Sequence, residues 1–337
     1  MTNFELYARE LAWPVDWTAV YHRPAPLLLE IGFGGGHFLA GLAQQRSEAN
    51  VLGVEITRPS IRRGLKKLQA AGVTNGRVLQ ASAEYLLWAC CAPGVVREVF
   101  INFPDPWPKG KQTHRRLINP RFLALLAARL SAGGLLHIAT DVADYAQAIA
   151  ADLVQSPYFE SLFETPFVTQ ADGRVRTKYE QLALVAGSTC HYFTWQRNAV
   201  PAADEFPIPQ ETPMPHAILY SPLSLLEIAN RFTPLHDTAA DIHVRLPMLF
   251  KSQQEHLLLV EAYINEEPIS QRVGLLIKRR ADGHYLIGLS EMGFPWPTPG
   301  VQLAIACLAR WLISLAADTA VRHHNLPYSL DPKTDHR

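Results

Sequence analysis

Cysteine is scarce in this chain, with four in 337 residues, and Cys90, Cys91, Cys190 and Cys307 lack the spacing of a metal site. The adjacent Cys90-Cys91 pair cannot easily bridge itself, so these read as core thiols of a protein kept in a reducing, cytoplasmic compartment. An excess of one charge is also missing. Lys and Arg number 31 against 31 Asp and Glu, which argues against a nucleic-acid surface spread over the whole chain. No apolar run approaches the ~18 residues of a membrane span; runs such as Leu27 to Leu29 and Leu257 to Val260 are strand-sized. The opening MTNFELYARE carries acids and no apolar centre, unlike a signal peptide. His216, His236, His243, His256, His284, His323 and His324 match no recognised ligand spacing, so no metal is expected. There is no internal repeat.

What is present is unevenly placed. Residues 1–200 hold 20 basic and 16 acidic side chains, or +4, and residues 201–337 hold 11 and 15, or −4. Any RNA surface is therefore expected to be local and in the first part. Residues 27–143 alternate strand-like runs (LLLEIGF, NVLGVEI, GRVLQAS, REVFINF, GGLLHIATD) with helical segments (HFLAGLAQQ, SIRRGLKKLQAA, AEYLLWACC, PRFLALLAARL). That grammar implies an α/β fold, a doubly wound and mostly parallel sheet with helices on both faces. TPFVTQ and QLALVAG…HYFTWQRN read as final strands, giving about seven. Five prolines in residues 199–217 mark a linker. Beyond it DIHVRLPMLF, HLLLVEAYI, QRVGLLIKRR and HYLIGLSEM read as consecutive strands. Ala281-Asp282-Gly283-His284 is a hairpin signal, and VQLAIACLARWLISLAA a terminal helix. The expected organisation is a first domain over 1–198, the linker, and a smaller α+β domain over 218–337. In the latter, Lys278-Arg279-Arg280 is either an RNA contact or a solvated hairpin tip, and Phe294-Pro295-Trp296-Pro297 either a docking turn or core.

Glu30-Ile31-Gly32-Phe33-Gly34-Gly35-Gly36-His37 lies where a strand ends and a helix begins. Glycines there let backbone approach a ligand closely, and the helix N-terminus offers free N–H groups. A dinucleotide loop would need glycine at position 37, which is histidine. Glu30 would repel a pyrophosphate but attract the ammonium of a methionine moiety, which points to S-adenosylmethionine. Glu55, at the end of the second strand, suits the ribose hydroxyls. After the third strand the segment Gln80-Ala81-Ser82-Ala83-Glu84 has no acid in its first positions, so Ser82, Gln80, a backbone group or Glu84 must meet the adenine. The fourth strand ends Asn102-Phe103-Pro104-Asp105-Pro106-Trp107-Pro108-Lys109. Ligands bind outside the carboxyl ends of such strands, which sets Asp105 beside the transferable methyl group and offers Trp107 for stacking a base. Lys109, Lys111, Arg115, Arg116 and Arg121 follow without an intervening acid, a pattern suited to phosphates.

In this order, EIGFGGG, GVEI, FPDPWPK with HRRL, ATD and TKYE resemble the bacterial tRNA (guanine-N7-)-methyltransferase family, over about residues 1–198. The resemblance implies S-adenosylmethionine as cofactor and N7 of a guanine in tRNA as acceptor, at position 46 of the variable loop. It implies that the cofactor meets Glu30, the loop glycines Gly32, Gly34 and Gly36, Glu55, position 81 with Ser82 beside it, and Asp105, with Asp105 also catalytic. Position 81, usually an acid or amide, is Ala81 here. Substrate contacts fall on Lys109, Asp141, Thr177, Lys178, Tyr179 and Glu180, and RNA contacts on Lys111, Gln112, Thr113, His114, Arg115 and Arg116. Asp105, Asp141 and Glu180 are expected to form an acidic pocket facing the base. Two other readings remain open at this point: methyl transfer to a small molecule or protein, and a non-catalytic RNA-binding protein with a degenerate cofactor pocket.

Overall fold

The computed structural model describes residues 4–171, 173–210, 213–253, 256–291 and 295–331, with the backbone alone at Arg9. Met292 and Phe294, at the ends of two segments named above, lie outside the described residues. The chain divides into two compact units, Met1–Ile208 and Pro209–Arg337. No helix among the described residues is long and apolar enough to cross a membrane.

Unit 1 is built on eight strands: β1 (Glu5–Leu6), β2 (Leu27–Ile31), β3 (Asn50–Glu55), β4 (Gly76–Gln80), β5 (Val96–Asn102), β6 (Leu130–Thr140), β7 (Phe159–Ser161) and β8 (His191–Arg197). Their spatial order is β1-β4-β3-β2-β5-β6-β8-β7. The first six run parallel, and β8 pairs antiparallel with β6 and β7. β2 is buried on both faces, as a central parallel strand must be. Leu28 and Leu29 are fully buried, each burial stabilising the fold by about 1.5–3 kcal/mol. Helices α1 (Trp17–Tyr21), α2 (His37–Gln45), α3 (Arg58–Ala70), α4 (Ala83–Tyr85), α5 (Pro120–Arg129), α6 (Ala143–Gln155) and α7 (Lys178–Val185) connect the strands. Asn119 caps α5 through Phe122 N–H at 3.0 Å, with Pro120 at the first helical position.

Two of the expected final strands take other forms. Gln181–Val185 lies in α7, because Thr177 and Glu180 form a reciprocal capping box that starts a helix there. TPFVTQ contributes only a single bridge, Val168 to Tyr192, and the seventh strand of the expected set is Phe159–Ser161 instead. The eighth strand, β1, is a two-residue edge pairing with β4. Chain order reverses around β2: β3 and β4 lie to one side, β5 and β6 to the other. The crevice at the carboxyl ends of β2 and β5 is the switch point where such sheets bind ligands.

The segment after β8 lies against unit 1. The fully buried guanidinium of Arg129 donates to Phe206 O at 2.6 Å and pairs with Asp204 at 3.0 Å, and the Trp88 indole N–H donates to Pro207 O at 3.0 Å.

Unit 2 is a seven-stranded antiparallel sheet of β9 (His216–Tyr220), β10 (Leu235–Ala239), β11 (Ile242–Lys251), β12 (Leu257–Glu266), β13 (Ile269–Arg279), β14 (Tyr285–Leu289) and β15 (Ala320–His324). Their order is β10-β11-β12-β13-β14-β9-β15. One face packs on α9 (Pro299–Ser314), a helix apolar nearly all round and buried from Gly300 through Ala309. The short α8 (Leu225–Asn230) starts at a capping box of Ser224 and Glu227. The β13–β14 turn passes through Gly283 at φ +85°, the left-handed geometry its Asp-Gly sequence favours.

Candidate active site

The turn after β2 carries three left-handed glycines, Gly32, Gly34 and Gly36, at φ +71°, +52° and +75°. Side chains rarely adopt that region. Gly36 has a second constraint: a Cβ there would come within 2.6 Å of the Gly64 backbone, so its bareness lets α2 and α3 pack closely. Glu55, at the end of β3, is ordered by three backbone donors. Its Oε1 accepts from Ile56 and Thr57 at 2.9 and 3.0 Å, and its Oε2 from Gly34 at 3.2 Å. A carboxylate oxygen holding one such bond retains acceptor capacity for a ligand.

Glu30 ends the neighbouring strand and is buried. Asn102 donates to its Oε1 at 3.4 Å, while its Oε2 has no partner. Burial pushes this carboxyl up to about 8, against the opposing effects of Asn102 and the nearby Arg174. Such an acid awaits either a proton or a cation.

Two residues that the sequence did not single out, Arg174 and Tyr192, extend the network. Arg174 donates to Asn102 Oδ1 at 2.6 Å, lies 4.8 Å over the Tyr192 ring and approaches Glu180 at 4.0 Å. The Tyr192 hydroxyl donates to Glu180 Oε1 at 3.0 Å. Arg174 stands alone in a loop and β8 reads as an ordinary strand, so neither had a local signal. Asn102 did have one, its place at a carboxyl strand end.

Around the adenine side, Ala81 is buried and its N–H donates to Glu55 O at 3.2 Å. The Ser82 hydroxyl is engaged as the cap of α4, accepting from Tyr85 N–H at 3.1 Å. Gln80 donates to Ile56 O at 3.1 Å and keeps a buried, unpartnered Oε1. Of the alternatives named for this position, Gln80 keeps a buried free acceptor, and the half-buried Glu84 carboxylate also makes no hydrogen bond or ion pair among the described residues.

The turn after β5 is strained at both ends. Phe103 and Trp107 hold φ +53° and +41°, conformations that cost non-glycine residues about 1–3 kcal/mol each. Asp105 lies between them, exposed, and its carboxylate makes no hydrogen bond or ion pair among the described residues. The turn is held from behind. Phe103 N–H donates to Ala139 O at 2.7 Å, and Arg116 donates to Pro106 O at 2.9 Å while lying 4.8 Å over the Tyr145 ring. Burial, with smaller contributions from the Asp152 and Asp105 charges, pushes the Tyr145 hydroxyl up to about 12. Arg115 covers Trp107 at 4.5 Å, so one face of that ring is occupied by a guanidinium.

Gly110–Arg115 is a 3₁₀ turn, tied by Gln112 N–H to Lys109 O at 2.7 Å and the Thr113 hydroxyl to Gly110 O at 3.0 Å. Lys109, Lys111 and His114 are exposed. Arg115 and Arg116 thus brace the Asp105 turn, Arg121 lies 4.9 Å over the Phe206 ring, and the lysines of the strip face solvent.

Asp141, exposed, follows β6. Thr177 and Glu180 are buried, and Glu180 points inward to Tyr192 and to the N-terminus of α7. Asp141 and Glu180 both act on the Cys190 thiol, and Asp105 acts on Tyr145. Only Asp105 and Asp141 of the three acids are open to solvent. Lys178 and Tyr179 are exposed, and Tyr179 stands over the glycine turn, its ring 3.9 Å from where a Gly34 Cβ would be. No group of three metal-binding side chains occurs among the described residues.

Residues 24–192 match a family model described as "Putative methyltransferase". The chain is 38% identical over 193 residues to the tRNA (guanine-N(7)-)-methyltransferase of Syntrophotalea carbinolica, covering 57% of this chain and 83% of that one. It is 30% identical over 294 residues to the protein of that name from Deinococcus radiodurans, covering 85% and 89%. For the one from Thermus thermophilus the figures are 29% over 302 residues, covering 89% and 93%.

Proposed function

We propose, since the chain belongs to the bacterial tRNA (guanine-N7-)-methyltransferase family, that it transfers a methyl group from S-adenosylmethionine to N7 of a guanine in tRNA. Bound S-adenosylmethionine supplies a methyl group activated by the sulfonium charge. The residues present fit that cofactor. The unpartnered Glu30 Oε2 suits the ammonium of the methionine moiety, Glu55 the ribose hydroxyls, and Gln80 Oε1 the adenine amino group that Ala81 cannot meet. The bare backbone of Gly32, Gly34 and Gly36 admits the ligand at close range.

Guanine N7 has a free lone pair and no proton, so no base is needed there. The methylated ring is cationic. The open carboxylate of Asp105 accepts hydrogen bonds from the base edge and offsets the developing charge, with Asp141 adding to the same field. The strained Phe103–Trp107 turn, clamped by Arg115 and Arg116, holds Asp105 in place before substrate arrives, and positioning is the larger share of the rate. Lys109 and Lys111, with Gln112, Thr113 and His114 beside them, take phosphates. Lys178 and Tyr179 approach the base over the glycine turn. Glu180 acts from behind, holding Thr177 and Arg174 rather than facing the base. The target guanine must leave the tRNA tertiary structure to enter. This chemistry belongs in the cytoplasm, where four buried free thiols persist.

One observation carries the reading: an unpaired carboxylate on a strained turn beside the glycine crevice, in a chain that matches tRNA (guanine-N7-)-methyltransferases over most of their length. The test is incubation of purified protein with labelled methyl donor and bulk tRNA lacking the modification, followed by nucleoside mapping. Label in 7-methylguanosine is expected. Label elsewhere, or in protein, overturns the proposal.

A further inference from the structure

The two faces of the unit 2 sheet differ. Val244, Val260, Leu275 and Ile287 point toward α9 and are buried. On the opposite face, strand register aligns a row across four strands: His236 opposite Arg245, Arg245 opposite Tyr263, and Tyr263 opposite Arg272. The Tyr263 ring stands between two guanidinium groups, 5.8 Å from Arg245 and 5.2 Å from Arg272. Further along the same face Phe250 is 50% exposed, opposite Leu259. Lys278 is exposed opposite Leu257. Such rows lie about 7 Å apart for every two residues along a strand.

Two of the three acids of these strands are turned away from this face. Asp237 turns to Arg310 of α9, and Glu266 to the head of α9. Glu261 is the one strand acid on the open side; it is buried and paired with Arg272. Unit 2, whose residues 209–337 hold 11 basic and 13 acidic side chains, therefore presents a cationic and aromatic face despite its net −2.

From this arrangement we infer that the open face of the unit 2 sheet binds a single-stranded segment of RNA, a second contact for the substrate proposed above and resting on that reading. Arg245, Arg272 and Lys278 meet phosphates and Phe250 stacks on a base, while Tyr263, held between the two guanidinium groups, keeps both arginines in the row; cations beside an exposed aromatic are the combination that binds unpaired strands. A second copy of the chain is a poor occupant, because a two-fold contact would set this cationic row against itself.

The experiment uses the full-length protein and two readouts: binding of a labelled oligouridine of about twelve nucleotides, and kcat and KM with tRNA. The double variant Arg245→Glu/Lys278→Glu should weaken oligouridine binding and raise the KM for tRNA about tenfold or more. It should also flatten the slope of log affinity against log salt by about 1.4, with kcat within about twofold. Phe250→Ala should weaken both about fivefold without changing the slope. Should the charge reversals lower the Tm, Arg245→Gln/Lys278→Gln carries the same test. Unchanged oligouridine affinity and KM overturn the inference. If wild-type protein methylates no tRNA yet loses oligouridine through these variants, the RNA face stands and the proposed activity falls.

Discussion

Glu30, in the crevice of unit 1, and Glu266, at the head of α9 in unit 2, are both buried carboxyls pushed up by burial, to about 8 and about 7. Their surroundings differ. Glu266 accepts from Gly300 N–H and from Gln271 and shares a hydrogen bond with Thr298, so its oxygens serve the start of a helix. Glu30 has Asn102 on one oxygen and nothing on the other. A raised pKa alone therefore does not mark a functional acid in this molecule. The two acids proposed above to meet ligands, Glu30 and exposed Asp105, share instead an acceptor without a donor, whereas Glu180 resembles Glu266 in being fully employed.

The comparison can be broken first at Asp105. Asp105→Asn keeps the turn's shape and removes the charge. It should lower kcat by about 10²–10³-fold while cofactor affinity, read by calorimetry, stays within about threefold. Equal turnover in the variant would remove Asp105 from the mechanism.

The next largest effect separates the two buried acids directly. Glu30→Gln loses a charge-assisted bond worth about 1.5–3 kcal/mol, so cofactor affinity should fall at least tenfold with no loss of Tm. Glu266→Ala should do the reverse. It strands the Gly300 N–H and the Gln271 amide, costs about 1–3 kcal/mol of stability, and leaves cofactor binding as it was. Similar behaviour of the two variants would end the distinction.

A pH series sharpens it. Glu30 titrates near 4.5 when unfolded and about 8 in the folded, ligand-free protein. Its contribution to stability is complete below the lower value and is lost as pH rises through the upper one. Glu266 loses its contribution through about 7. The ligand-free Tm should thus decline from pH 5 to 8. Cofactor affinity should rise over the same span, because the ammonium selects ionised Glu30, by up to about tenfold per unit below the folded pKa. Glu30→Gln should flatten that affinity profile, measured by calorimetry in buffers of differing ionisation enthalpy. The smallest expected effect is at Arg115→Ala, which uncovers Trp107 and loses an exposed cation–π contact of about 0.5–1 kcal/mol. It should reduce kcat/KM for tRNA a few-fold with Tm unchanged.

Much of this was legible from residue order. The five parallel strands, the glycine turn, the acids at 30 and 55, and the Asp105 turn all announce themselves through local pattern, because strand ends and tight turns demand particular residue types. The four consecutive strands and closing helix of unit 2 were equally plain. Gln181–Val185 is an apolar run that suits either structure, and the Thr177–Glu180 capping box immediately before it decides for helix. β9 and β15 are five-residue strands whose partners lie far along the chain, and β10 is a five-residue edge strand paired in a hairpin with β11.

Sequence alone determined the chemistry available: a glycine turn with acids at the carboxyl ends of the central strands, a carboxylate between two prolines, and a short basic strip behind it. These are local properties, set by residue type and by position relative to the end of a strand. Only the tertiary structure decided which polar groups are already satisfied. It turned Glu180 inward to Tyr192, spent Ser82 on a cap, laid Arg115 and Arg116 against the turn, and left Glu30 and Gln80 each with a bare oxygen. Hydrogen-bond satisfaction depends on neighbours brought together from distant parts of the chain, and no local pattern carries that information.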